Sequence, residues 1–215
     1  MVKKGVDMKK QILILGDYTD PPYHPLTPIT DIFKTIFRGY NLTFTEDRNL
    51  LLVENISKFD LIISYTDSWN SSLDKKQISG LLNYISGGGK LLVIHNGISL
   101  QSNFEFANIV GARFTGHPDY TNLKYSFTDP EEKSLYKFES FEMNEEPYQF
   151  EFANFTEKNI FMEFELNGVL YPAGWDVSYG MGKVVYLSPG HDLKTFENIN
   201  FQNIVKEIVK NLINS

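Results

Sequence analysis

The chain has 215 residues, one large domain or two small ones at roughly 100–200 residues each, and 42% hydrophobic with 22% charged residues is a globular composition that excludes long disorder. It has no cysteine, which excludes a thiolate nucleophile, a disulfide scaffold, zinc–thiolate sites and iron–sulfur clusters, and suits a reducing compartment. Twenty basic against 27 acidic residues give a net charge of −7, and no basic cluster exceeds Lys3-Lys4 and Lys9-Lys10, so nucleic acid is excluded as a partner.

Residues 1–10 read as a frayed leader, without the apolar stretch or cleavage site of a signal peptide. No apolar run approaches the ~20 residues that span a bilayer, so a cytoplasmic protein with no membrane partner is expected. Residues 11–15 (QILIL) form a buried strand ending at Gly16-Asp17. A loop with four prolines, Tyr18 to Pro28, leads to Thr30-Asp31, which can cap a helix to about Arg38. Residues 41–46 alternate as a second strand, and 60–65 (DLIISY) are a third, continuously apolar as central parallel strands are. A helix from about Leu73 to Ile85 carries Ile78, Leu81, Leu82 and Ile85 on one face and stops at Gly87-Gly88-Gly89. Lys90 to Ile94 is a fourth buried strand, ending at His95-Asn96-Gly97. This β-α-β alternation implies an α/β fold, a mainly parallel sheet with helices on both faces.

From about Leu123 to Tyr186 the strands alternate instead, as an antiparallel addition with a hairpin turn at Asn167-Gly168. Residues 131–165 hold 10 Glu and 3 Lys, but Tyr136, Phe138, Phe141, Tyr148 and Phe150 are interleaved with them, which reads as half-buried strands with a solvated face. Lys183 to Leu187 is an apolar strand ending at Ser188-Pro189-Gly190-His191-Asp192. A last amphipathic helix carries Ile204, Val205, Ile208, Val209 and Leu212. With no repeat, low-complexity tract or linker, residues 1–215 read as one domain.

The four histidines, His24, His95, His117 and His191, each lie among Gly, Pro, Asn or Asp. His95 and His191 follow buried strands directly, so both belong at the carboxyl edge of the sheet, where ligands collect in open α/β folds. A buried strand followed by a Gly-containing turn is also where many α/β enzymes expose a nucleophile, with Gly97 allowing the sharp departure that exposes the His95 side chain. The position resembles the elbow of the class I glutamine amidotransferase fold, whose cysteine would fall at His95. Imidazole is a poor lasting acyl acceptor but a good acid, base or metal ligand, so amidotransferase and cysteine-peptidase chemistry are excluded. In the acidic stretch one of Glu145 and Glu146 can turn inward, and Glu146 is preferred because an extended segment puts it on the face of Tyr148.

Several segments resemble the ThuA-like (trehalose-utilisation) family: residues 86–97 (SGGGKLLVIHNG), 111–118 (GARFTGHP), Glu145-Glu146-Pro147-Tyr148, and 171–192 (YPAGWDVSYGMGKVVYLSPGHD), with Tyr23-His24-Pro25 similar to an early aromatic-x-His loop. Gly174 before the Trp and Pro189 before Gly190-His191 depart from its pattern. The resemblance implies a flavodoxin-like, amidotransferase-type fold and a role in disaccharide and sugar catabolism. It also gathers His95, His117, Glu146 and His191 around one site.

Three functions follow. In the first, an enzyme acts on a small-molecule sugar or keto-sugar by acid/base chemistry: His95 and His191 move protons, Glu146 orients or shares them, and His117 binds or polarises the substrate. Around it His24 and Asn96 contact substrate, and Tyr148 and Trp175, with Tyr65 and Trp69, stack on the sugar ring. The second holds a divalent metal such as zinc on His95, His117 and His191, although no cofactor is firmly implied. The third is a non-catalytic sugar-binding or regulatory module on a degenerate amidotransferase scaffold. A homo-oligomer is compatible with each.

Overall fold

The computed structural model describes residues 9–19, 21–128 and 139–215. Most of the expected leader, together with Tyr136 and Phe138, lies outside the described residues.

Five strands form the parallel half of a nine-stranded sheet: β1 (Gln11–Gly16), β2 (Asn41–Thr45), β3 (Leu61–Tyr65), β4 (Lys90–Ile94) and β11 (Gly182–Leu187). Their order is β2-β1-β3-β4-β11, every neighbouring pair parallel, which is the flavodoxin-like arrangement. The sheet continues antiparallel through β10 (Val169–Tyr179), β9 (Asn159–Leu166), β6 (Thr121–Phe127) and β7 (Phe141–Glu145). A separate antiparallel ribbon pairs β5 (Ala112–Gly116) with β8 (Gln149–Phe152). β5 lies inside the GARFTGHP segment, whose burial alternates too briefly to read as a strand from sequence. Asn167 (φ 52°) and Gly168 (φ 77°) form the left-handed turn between β9 and β10, as their sequence requires.

Both faces of the parallel strands are buried, which is why their sequences are continuously apolar. Ile12, Ile14, Leu61, Ile63, Leu92 and Ile94 face α1 (Thr30–Ile36) and the C-terminal helix α6 (Ile199–Asn214), through Phe33, Phe201, Ile204 and Ile208. Leu13, Leu15, Ile62, Leu91 and Val93 face the short helix α2 (Val53–Ile56), α3 (Lys75–Ser86) and α4 (Phe104–Val110). At roughly 1.5–3 kcal/mol for each large apolar side chain removed from water, these two layers hold the strand ends in place. α3 begins with a capping box in which Asp74 accepts from the Lys76 and Gln77 amides, and Gln77 accepts from the Asp74 amide. The cap expected at Thr30 does not form. A 3₁₀ turn, Thr27–Ile29, precedes α1, and the Thr30 hydroxyl donates instead to the Leu26 carbonyl. The last helix before α6 is α5 (Leu193–Glu197), capped by Asp192.

Candidate functional site

Loops from four parallel strands meet at one edge. β3 leads to Asp67, β4 to His95 and β11 to His191, each just past a carboxyl end, and the longer loop after β1 brings in His24. The connection from β7 to β8 adds Glu145 and Glu146 from the antiparallel half.

His95 stands at the strand-to-turn junction with φ 45°, a left-handed conformation that a β-carbon disfavours and that persists only where the surroundings impose it. The imposition is visible on both sides. A β-carbon on Gly97 would run into the Ser64 carbonyl, and one on Gly190 would lie 2.9 Å from the His95 β-carbon. Gly97 therefore serves close backbone packing. The His95 side chain is not exposed but fully buried, with its ring stacked 4.0 Å from that of Tyr148. Its Nδ1 lies 2.6 Å from the Ser188 carbonyl, which turns Nε2 toward the cluster.

Glu146 is the centre of the arrangement. Its Oε2 is 3.2 Å from His191 Nδ1 and 3.3 Å from His95 Nε2, and its Oε1 is 3.7 Å from His117 Nε2. The His95 contact lacks hydrogen-bond alignment, and Nε2 of this sealed ring has no hydrogen-bond partner among the described residues. His191 Nδ1 also lies 3.2 Å from His24 Nε2, and His24 Nδ1 lies 3.3 Å from Asp67 Oδ1. Asp67 is itself held by the Tyr23 and His24 amides on its other oxygen. Glu145 does separate work. β7 alternates inward at Phe141, Met143 and Glu145, so this carboxylate is buried, and it accepts from the Gly190 and His191 amides, the Thr195 hydroxyl and the Glu146 amide. It pins the loop that carries His191. Glu146 reaches the imidazoles because the chain turns after β7, with the Tyr148 amide donating to the Glu146 carbonyl, rather than by running extended beside Tyr148.

Burial pushes the Glu146 carboxyl up, but the neighbouring His191 and His95 imidazoles outweigh it and hold the group well below the usual carboxylate range. The hydrogen bond to Glu146 raises His191 against the opposing effect of burial. Burial lowers His24 by more than its Asp67 partner raises it.

Of the residues expected to contact substrate, His24 lies 4% exposed inside the cluster. Asn96 follows His95 into the interior, fully buried with its amide unpartnered among the described residues, so it meets no sugar hydroxyl from there. Tyr148, 2% exposed, backs the imidazole of His95 and packs on Phe114, which removes it as an open stacking face. Trp175 is not at the site. It is fully buried in the second core layer and its indole N–H donates to the Val110 carbonyl. Tyr65 is buried and its hydroxyl donates to the Gly190 carbonyl, bracing the His191 loop, while Trp69 packs on Phe114. His117 stands at the rim, its side chain 34% exposed. The residues missed from sequence are Asp67, which carries the same signal of following a buried strand, and Tyr23 and Tyr120, 69% and 39% exposed beside His24 and His191. A surface groove of about 890 Å³, lined by Asn108, Phe155, Lys158 and Tyr179, contains none of these residues.

A group of His24, His95, Glu146 and His191 has its ligand atoms all within 4.8 Å of one another. The metal set expected from sequence shares His95 and His191 with it, but His24 stands where His117 was expected.

Residues 12–210 match the family model described as ThuA, trehalose utilisation. No curated protein matches the chain. Among solved structures, the chain is similar to a ThuA-like protein from Bacteroides uniformis at 16% identity and TM-score 0.72, over 93% of this chain and 89% of that one. It is similar to a ThuA-like protein from Parabacteroides merdae at 14% identity and TM-score 0.76, over 96% and 90%. A cytoplasmic protein from Salmonella typhimurium LT2 is similar at 12% identity and TM-score 0.65, over 94% and 99%. At these identities the likeness shows a shared fold.

Proposed function

The chain belongs to the ThuA family, described as trehalose utilisation, and on that premise we propose that it is a sugar-catabolic enzyme acting on a trehalose-like disaccharide or a keto-sugar made from one. The observation that carries the reading is the convergence of three imidazoles on the Glu146 carboxylate at the carboxyl edge of the parallel strands. A keto group acidifies the neighbouring C–H, and an imidazole made more basic by an ionised carboxylate, as His191 is by Glu146, is equipped to take that proton and return it elsewhere. His117, on the open side, is placed to exchange protons between Glu146 Oε1 and solvent. Tyr23 and Tyr120 offer the aromatic faces against which a sugar ring can lie, the task expected of Trp175 and Tyr148. A cytoplasmic setting belongs to the same proposal. It is supported by the cytoplasmic description of the Salmonella protein and by the lack, among the described residues, of a helix long and apolar enough to cross a membrane.

The test is a screen of trehalose, related disaccharides and their keto forms against the purified protein, with products followed by NMR. Consumption of a keto-sugar or disaccharide, reduced in His117→Gln and Glu146→Gln, is expected. Thermal stabilisation by a sugar with no turnover would assign a binding module instead, and neither effect would end the sugar reading.

A further inference from the structure

We infer that His24 Nε2, His95 Nε2, His191 Nδ1 and one oxygen of Glu146 form the ligand set of a single divalent transition-metal ion.

The argument is an accounting of lone pairs. The Ser188 carbonyl can only accept, so the His95 Nδ1 that meets it at 2.6 Å carries the hydrogen, and Nε2 of the neutral ring is a bare lone pair. The Asp67 carboxylate accepts the Tyr23 and His24 amides on Oδ2, so His24 Nδ1, facing Oδ1, also carries the hydrogen and leaves its Nε2 bare. One of these bare nitrogens, His95 Nε2, faces the acceptor Glu146 Oε2, and the other, His24 Nε2, faces His191 Nδ1, which donates only if it carries the hydrogen. A proton on His191 Nδ1 satisfies its own two contacts, at 3.2 Å to Glu146 and 3.2 Å to His24, and does nothing for His95. That leaves a fully buried nitrogen aimed at a carboxylate oxygen with nothing between them, a costly arrangement in a low-dielectric interior. One cation at the centre satisfies all four atoms together.

The spacing agrees. Nitrogen and oxygen ligands at ~2.0–2.1 Å from a tetrahedral ion lie roughly 3.3–3.4 Å from one another. Three of the six edges of this cluster measure 3.2, 3.2 and 3.3 Å, and the other three lie within 4.8 Å. The outer nitrogens are tied in the way ligating histidines usually are, one to a backbone carbonyl and one to a carboxylate, which sets the tautomer and aims the lone pair inward. Three imidazoles and one carboxylate suit zinc or a neighbouring first-row ion, and disfavour magnesium and calcium, which prefer oxygen. His117, with Nε2 at 3.7 Å from the other Glu146 oxygen, lies outside the set and remains available as the proton carrier. Occupancy of the site is independent of the substrate. Its use as a Lewis acid toward a keto-sugar oxygen rests on the sugar reading above.

The test uses the full chain, stripped with a chelator and titrated separately with zinc, cobalt and manganese by calorimetry, with bound metal counted by elemental analysis. One equivalent of zinc or cobalt is expected, with a rise in melting temperature and, for cobalt, an intense visible spectrum of low-coordinate geometry. His95→Gln and His191→Gln should lose the equivalent while keeping the far-UV circular dichroism of the parent. Asp67→Asn, which leaves every ligand in place, should weaken binding by about 10–100-fold. His117→Gln should bind metal as the parent does. Absence of a stoichiometric ion with all three metals, or equal binding in His95→Gln and His191→Gln, overturns the inference. Turnover of a keto-sugar by the metal-free protein would likewise remove the Lewis-acid role and leave the sugar reading intact. Metal bound by the predicted residues without any sugar turnover would leave the site standing and remove that reading.

Discussion

The five parallel strands each deliver a polar group to one shared edge. β2 leads to Glu46, which holds the Tyr18 and Thr19 amides, and β1 leads to Asp17, which accepts the Asp67 amide. β3, β4 and β11 lead to Asp67, His95 and His191. In the antiparallel half, Tyr125, Phe141, Phe164 and Trp175 are buried in the two core layers, while the end of β7 adds Glu145 and Glu146 and the β5–β6 connection adds His117 and Tyr120. The difference follows from strand direction. Parallel strands all point their carboxyl ends the same way, so their loops converge, whereas antiparallel strands alternate their ends and spread their loops over two edges. One half of the sheet therefore gathers the cluster at its edge and the other supplies core, with the β5–β6 and β7–β8 connections crossing between them.

Substitutions in the two halves should separate along that line. The largest effect is expected at His95, where Ala should lower turnover by about 10²–10⁴-fold on the substrate found by the screen, with the fold retained by circular dichroism. Near-parent turnover there would break the assignment of chemistry to the parallel edge. Trp175→Ala should act in the opposite sense, costing about 3–5 kcal/mol in denaturant unfolding while the folded fraction keeps the parent KM. A changed KM with little loss of stability would mean that the antiparallel half reaches the substrate after all.

Glu145→Gln tests the connection between the halves. Gln keeps one acceptor oxygen but loses the charge that gathers the Gly190 and His191 amides and the Thr195 hydroxyl. A loss of roughly 1–3 kcal/mol in stability is expected, together with a drop in kcat as His191 loses its anchor. An unchanged kcat would show that His191 is held by Glu146 and His24 alone. The smallest effect is expected at Gly168→Ala, in a φ 77° turn with no atom within 4 Å of the new β-carbon. Only backbone strain opposes it, so about 1 kcal/mol is expected by thermal unfolding, with activity untouched.

How much was readable beforehand differs between the halves for the same reason. QILIL, DLIISY and KLLVI are continuously apolar because both their faces are covered, and strands of that kind show in a sequence directly. The ends of KLLVI and of KVVYL locate His95 and His191 at one edge without knowledge of any contact. Trp175 and Tyr148 were expected to stack on a sugar because aromatic residues near a motif look alike whether they face solvent or core. Burial separates them, and burial depends on which elements pack above them: α4 and the β5–β8 ribbon over Trp175 and Tyr148, loop ends only around Tyr23 and Tyr120.

Local pattern by itself determined the α/β alternation, the parallel core, the Asn167-Gly168 turn and the placing of two histidines at strand ends. Each rests on short-range causes: side-chain periodicity, left-handed turn geometry and the need to bury apolar runs. Tertiary structure alone decided that His24 rather than His117 completes the cluster, that Glu145 anchors a loop while Glu146 faces the imidazoles, and that His95 is sealed rather than exposed. Those outcomes depend on which ring nitrogen meets which acceptor, across sequence separations as large as 167 residues between His24 and His191. A difference of one residue along β7, or the tie of one ring nitrogen to Ser188, changes where a lone pair points, and only the packed chain sets that direction.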